Sequence, residues 1–413
     1  MAFEIDDELL QGVYNSALPP AAADQAGEVI RALDNPIGSL PLEVLARGKR
    51  NAVIIASDHT RPVPSRILMP LLLQRLRKYS PNIDITILIA TGCHRSTTLE
   101  ELTAKFGPEI VRHEKIVVHD CSDESNLCDL GLLPSGRRLR LNRLAVETEL
   151  LISEGFIEPH FFAGFSGGRK SVLPGIAARE TVLANHCAEF IQSPFARTGI
   201  LENNPIHQDM LYAAQQAGLA FILNVVIDGN KSIVKAFAGD MQKAHLAGCD
   251  YLKQYCQLQL PPTDIVITSN GGYPLDQNVY QTVKGMTAAE ALCRENGVII
   301  IAASCSDGHG GEAFYQQLKQ ADSAGNLLAQ VTGVPRKGTL PDQWQYQILA
   351  RVLSKYKVII VTQHCDHDMI RDMKMLAASS VEAALLQAYD CLGRKAPALV
   401  IPDGVSVIAA RAE

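Results

Sequence analysis

The stretch Ala52-Val53-Ile54-Ile55-Ala56, followed at once by Ser57-Asp58-His59-Thr60-Arg61-Pro62, sets the reading of this chain. Five consecutive apolar residues, β-branched at the centre, have strand length, and a strand with one wet face would alternate instead. The polar segment that follows is then a strand-end loop. Similar apolar runs recur at residues 83–90, 116–118, 150–152, 221–227, 265–268, 298–302 and 358–361. Helical patterns lie between them. Two carry S/T-x-x-E signals that predict helix starts: Thr97 with Glu100 ahead of Leu102 and Phe106, and Thr287 with Glu290 ahead of Leu292. Strands buried on both faces and alternating with helices predict an α/β fold of largely parallel sheets flanked by helices. Ligands of such sheets bind beyond the carboxyl ends of the strands.

At 413 residues the chain is long for one core, and the break at Gln257-Leu258-Gln259-Leu260-Pro261-Pro262 predicts two unequal lobes. The N-terminal domain is expected over residues 1–260 and the C-terminal domain over 263–397. The tail, 398–413, holds another apolar segment able to pair with either lobe or to pack back on the first. Lys plus Arg number 38 against 44 for Asp plus Glu, a net charge of −6, so no overall positive field suits a phosphate backbone and nucleic acid is not an expected partner. No apolar run approaches the ~18 residues of a bilayer span, and no basic-then-apolar leader opens the chain. The expectation is a soluble cytoplasmic protein with no membrane partner. The ten cysteines contain no C-x-x-C pair and read as reduced, mostly buried thiols.

Several segments carry chemistry. Arg61 offers a planar fork for a carboxylate or phosphate, while Asp58 and Thr60 can receive hydroxyl hydrogen bonds. Thr91-Gly92-Cys93-His94-Arg95 places His94 at the mouth of the sheet, where an imidazole of ordinary pKa near ~6.5 exchanges protons. Gly164-Phe165-Ser166-Gly167-Gly168-Arg169-Lys170-Ser171 resembles a P-loop, but Arg169 separates Gly168 from Lys170 and the phosphate-binding spacing fails. What remains is a loop whose backbone N–H groups approach an anion, with His160 ahead of it. Lys170 lies among apolar neighbours there, a setting for a lowered pKa or covalent attachment. Residues 177–184 read as a helix, with His186 four residues after Val182 on one face as a candidate metal ligand. In the second lobe Gln281 and Lys284, next to Tyr280, share a helical face suited to gripping a carboxylate. Trp344 is either core or a lid that excludes water. Taken singly, each segment also fits a bland role: a solvated turn, a capping histidine, an exposed lysine.

In order, D-H-T-R-P at 58–62, T-G-x-H-R at 91–95, E-x-H-x-x-x-G-x-S-G-G-R-K-S at 158–171, A-N-H at 184–186 and Y-Q-x-x-K at 280–284 resemble the nickel-pincer lactate racemase family. The likeness extends over essentially the whole chain. It implies two α/β lobes with the active site in the cleft between them. It also implies a nickel pincer nucleotide: a pyridinium mononucleotide with thioacid groups, tethered as a thioamide to Lys170 and holding nickel through carbon and two sulfurs. Asp58, Thr60 and Ser171 would lie beside this cofactor. By the same resemblance His186 ligates nickel, and His94 and His160 are the acid/base pair. Arg61, Gln281 and Lys284 bind substrate, with Tyr280 and Trp344 close to the site. The implied partners are a short 2-hydroxy acid and the proteins that build the cofactor.

The implied reaction inverts carbon 2 of the hydroxy acid. Removing that carbon's hydrogen as a proton would leave a carbanion beside a carboxylate, whose charge opposes it; removal as hydride avoids that intermediate and passes through a planar keto acid. Lactate is the expected substrate, with malate or another 2-hydroxy acid as the alternative. Readings from other classes are a phosphoryl-transfer or hydrolytic enzyme using the glycine-rich loop, and a non-catalytic binder of small organic acids or nucleotides.

Overall fold

The computed structural model describes residues 3–412. Two six-stranded sheets organise the chain. The first runs, in spatial order, Ile233–Gly239, Leu219–Ile227, Leu151–Phe156, Asn51–Ser57, Asp84–Ala90 and Lys115–Val118. It is parallel except at Ile233–Gly239, which folds back antiparallel on Leu219–Ile227. The turn between those two strands is held by Asp228, whose Oδ1 accepts from the N–H groups of Asn230 and Ser232 at 2.9 Å each. The hydropathy runs did not reveal this returning strand.

The opening pentapeptide shows why the sheet is covered twice. Val53 and Ile55 join the apolar cluster on one face, while Ala52, Ile54 and Ala56 join the cluster on the other. On the second face the helix Ser65–Arg77 packs Leu68, Leu72 and Leu76, spaced three to four residues apart, so that all three are fully buried. Ile54 and Ile55 are also inaccessible, and truncating either to Ala costs about 2–5 kcal/mol by lost burial and the cavity left behind.

The second sheet is parallel throughout, in the order Leu10–Val13, Ala398–Ile401, Thr263–Ser269, Cys293–Ala302, Lys357–Val361 and Leu376–Ala378. It draws strands from both ends of the chain. Ala398 pairs with Leu10 on one side and Ile265 on the other. The remaining tail strand, Ile408–Arg411, pairs in parallel with Gln257–Leu260, the segment read as the break between lobes.

Two helix starts differ from expectation. The helix Leu99–Phe106 is capped one residue later, by Thr98, whose Oγ1 accepts from Glu101 N–H while the Glu101 carboxylate accepts from Thr98 N–H. Thr97 is buried and its hydroxyl is engaged with His59 Nδ1 at 3.1 Å, so it does not serve as the cap. Thr287 lies inside the helix Val279–Leu292, which Asn278 caps. There its hydroxyl donates back to Lys284 O at 2.7 Å, and Glu290 pairs with Arg351. The residue pattern that opens a helix is equally compatible with its interior when the hydroxyl bonds backwards. The helix expected over residues 177–184 forms as Arg179–Asn185. All ten cysteines are free and six are buried. Among the described residues no helix is long and apolar enough to cross a membrane.

Candidate active site

Beyond the carboxyl ends of the first sheet lies a cavity of about 530 Å³. It is lined by every residue singled out above: Asp58, Thr60, Arg61, His94, His160, Lys170, Ser171, His186, Tyr280, Gln281, Lys284 and Trp344. The first eight come from loops and turns that follow the strands of the first sheet, and the last four from the chain segment that builds the second.

One wall is the loop after Asn51–Ser57. Asp58 Oδ1 accepts from the Thr60 hydroxyl at 2.6 Å, and Thr60 Oγ1 in turn accepts from Arg61 Nη1 at 3.0 Å, which fixes the guanidinium relative to the strand end. Asp58 Oδ2 meets His94 Nδ1 at 2.7 Å. Burial would raise the Asp58 carboxyl, but the bond to His94 and the charges of His94 and Arg61 prevail and hold it at about 2. A carboxylate accepts only, so Nδ1 of His94 carries a proton, and in the neutral ring Nε2 is the nitrogen left free.

Another part of the lining is the glycine-rich loop. His160 Nδ1 accepts from the backbone N–H groups of Ala163 at 3.2 Å and Phe162 at 3.5 Å, so in the neutral ring the proton sits on Nε2. Nε2 lies 3.5 Å from Lys170 Nζ. Burial, with Lys170, Lys284 and Arg61 nearby, keeps this imidazole's pKa well below its ordinary value. Burial, with Arg169, Arg61 and Lys284, likewise holds the Lys170 ammonium's pKa well below its ordinary value, which favours the nucleophilic amine. Ser171 Oγ is spent on the loop itself, donating to Gly168 O at 2.7 Å.

The loop's shape depends on glycine. Gly167 has φ of 77°, and a Cβ there would stand 2.7 Å from Phe156 O. Gly168 has φ of 53° and a Cβ would press on the His245 ring at 2.8 Å. Of the amides expected to approach an anion, those of Gly168 and Lys170 are taken by Asn224 Oδ1 and Gly167 O. Arg169 is fully buried and braces the loop from behind, donating to Ala163 O at 2.7 Å.

His186 ends the helix Arg179–Asn185, where its Nδ1 donates to Val182 O at 3.0 Å, leaving Nε2 as the free nitrogen. The ring is clasped edge-on between Phe162, centroids 5.2 Å apart, and Trp344 at 5.0 Å. Burial, with Lys170 nearby, lowers its pKa to about 3, the neutral form a metal ligand needs. Among the described residues no group of three or more His, Cys, Asp or Glu is arranged to hold a metal ion.

From the second-sheet side, Lys284 is buried and its pKa is lowered to about 8 by burial and by Arg61. The Gln281 side-chain oxygen is buried with no hydrogen-bond partner. Tyr280 donates to Asp342 Oδ1 at 3.1 Å, and Gln345 donates to the Tyr280 carbonyl. Sequence reasoning missed Asp342, Phe162 and Asn224. Asp342 alone left a local trace, in Pro341-Asp342-Gln343 before the helix Gln343–Leu353, where its φ of 62° is left-handed.

Comparison with known proteins agrees with this layout. The family profile described as the lactate racemase N-terminal domain matches residues 1–199, and that of the lactate racemase C-terminal domain matches residues 258–409. The chain is 55% identical over 410 residues to a lactate racemase of Thermoanaerobacterium thermosaccharolyticum, covering 99% of this chain and 96% of that protein. It is 53% identical over 407 residues to a lactate racemase of Lactiplantibacillus plantarum, covering 98% and 96%. The structure of the lactate racemase apoprotein from T. thermosaccharolyticum superposes with a TM-score of 0.97, covering 99% of this chain and 97% of that one. A Thermotoga maritima protein with 18% identity shares the fold at a TM-score of 0.65 over 89% of this chain and 96% of its own. Two domain profiles in the expected order and more than half identity along nearly the full length settle the matter of kinship: the chain belongs to the lactate racemase family.

Proposed function

We propose that this protein is a cytoplasmic racemase of a short 2-hydroxy acid, lactate first, and that the cavity at the end of the first sheet is its active site. The observation that carries the reading is the pair of imidazoles lining one cavity, each held through Nδ1 so that Nε2 is the nitrogen left for proton exchange: His94 by Asp58, and His160 by the amides of Phe162 and Ala163. Inversion needs one group to take the hydroxyl proton and another to return one on the far side. The names of the 53–55% identical relatives support lactate as the substrate.

The residues present fit a nickel pincer nucleotide. Lys170 Nζ, whose pKa is pushed down by its surroundings, suits attachment through an acyl-type bond, and His186 Nε2 suits the metal. When bound, the cofactor supplies a hydride acceptor for the hydrogen on carbon 2. The chain's own residues do the rest. Arg61 and Lys284 hold the carboxylate, so that only the central carbon turns between its two faces. His94 accepts the hydroxyl proton at Nε2, and Asp58, bonded to Nδ1, stabilises the imidazolium so formed. For the opposite enantiomer His160 performs the same service, which requires the tautomer that carries its proton on Nδ1 and leaves Nε2 free. Trp344 and Phe162 exclude water from around His186.

Protein co-produced with the enzymes that make the cofactor is expected to convert either enantiomer of lactate to a mixture, read by chiral chromatography. Its intact mass should include an adduct on Lys170. An enantiomer left unchanged by adduct-bearing protein would falsify the lactate assignment, and a panel of 2-hydroxy acids including malate would then locate the substrate.

A further inference from the structure

Asp342 stands where an aspartate ordinarily caps a helix, and it does not cap one. It precedes the helix Gln343–Leu353, yet its carboxylate takes no hydrogen bond from the first turn. An aspartate at that position normally accepts from the second or third backbone N–H, a bond that stabilises the helix start. Its backbone is left-handed as well, with φ of 62°. Residues other than glycine seldom adopt that region. Of the six that do so among the described residues, Asp342 alone lines the cavity.

The carboxylate instead reaches a second helix. Oδ1 accepts from the Tyr280 hydroxyl at 3.1 Å, and Gln345, three residues on, donates through its side-chain amide to the Tyr280 carbonyl. Tyr280 lies in the first turn of Val279–Leu292, where the Asn278 side chain accepts from Gln281 N–H, so the phenol springs from a fixed helix start. Its ring leans edge-on against Phe314, centroids 5.3 Å apart. Burial and the Asp342 charge push the phenol's pKa well above its ordinary value, so it keeps the proton that it donates. Between Asp342 and Gln345 in the chain is Trp344, whose ring meets His186 at 5.0 Å.

We infer that Asp342 is a positioning residue: its accepting oxygen fixes the Tyr280 phenol in the cavity wall, and the same bond pins the helix start that sets Trp344 beside His186. The left-handed backbone and the forgone cap are then what it takes to aim the carboxylate at the neighbouring helix. Two side chains of the cavity lining thereby depend on one residue that needs no contact with substrate. The inference rests on the racemase reading given above, in which this cavity receives the hydroxy acid.

Trp344 is the only tryptophan, so its fluorescence in the cofactor-free full-length chain reports on this helix start without any turnover. Asp342→Gly suits the left-handed backbone but has no acceptor, whereas Asp342→Asn tolerates that backbone and keeps an accepting oxygen. Emission of Asp342→Gly should move to the red as the indole loosens, while Asp342→Asn should stay with the wild type. In adduct-bearing protein Asp342→Gly should raise KM for lactate roughly fivefold or more with kcat altered less, and Asp342→Asn should keep KM near the wild-type value. On a Tyr280→Phe background Asp342→Gly should raise KM no further, because the hydroxyl it acts through is gone. Unshifted emission in Asp342→Gly, a KM within twofold of wild type, equal increases on both backgrounds, or an Asp342→Asn variant as impaired as Asp342→Gly overturns the inference. Adduct-bearing wild type that leaves both lactate enantiomers untouched overturns the racemase reading instead, and the emission comparison still decides whether Asp342 holds the helix start.

Discussion

The two imidazoles that face the cavity are the same residue type in opposite surroundings. His94 is half-exposed and held through Nδ1 by a buried carboxylate. His160 is held through Nδ1 by two amide N–H groups and lies near Lys170, Lys284 and Arg61, so its ring resists a positive charge. The neighbour on the inner nitrogen decides which tautomer the neutral ring adopts. The reaction proposed above needs one group to take a proton and another to return it, and this cavity offers it two imidazoles in contrasting surroundings.

The comparison can be broken at several strengths. Lys170→Ala removes the amine beside His160 and should abolish the covalent adduct and all racemisation, read by intact mass and chiral analysis. Replacing His94 or His160 by Ala in adduct-bearing protein should each cost roughly 10²–10⁴-fold in racemisation. Equal tolerance of either change would remove the case for two opposed acid/base groups. Asp58→Asn keeps the shape of the His94 wall but offers Nδ1 an amide in place of a carboxylate. We expect kcat to fall by about 10²-fold with KM little changed, because the lost interaction is strongest when His94 is protonated. A kcat within twofold of wild type would mean that the carboxylate behind His94 has no catalytic weight. The smallest effect concerns pH. Lys284, at about 8, loses its charge as pH rises through that value, so KM for the carboxylate should climb above pH 8 and stay flat below it. Lys284→Arg should move that rise to higher pH.

Much of this was legible in the residues. The run at 52–56 has no alternation, and it became an inner strand with Ile54 and Ile55 on opposite faces, both fully buried. Strand-end loops announced themselves by sudden polarity, and the residues chosen from them converge on one cavity because parallel strands deliver their carboxyl ends to one side, where Tyr280, Gln281, Lys284 and Trp344 join them from two helices. Local cap patterns were less telling. Thr97 and Thr98 carry identical side chains, and only the position of His59, thirty-eight residues earlier, decides which one is free to cap. The His94 and His160 protons were likewise invisible, being set by Asp58 and by the amides of Phe162 and Ala163.

The threading of the second sheet bears on how the enzyme is born. Every strand of the first sheet has been synthesised once residue 239 is added, so the loops that carry His94, His160 and Lys170 can take shape while translation continues. Ala398–Ile401, by contrast, is an interior strand supplied almost last, and Leu10–Val13, supplied first, waits for it. The newborn chain thus has half of its cavity built and open before the other half arrives, and premature termination near residue 395 would orphan both edges of that gap at once.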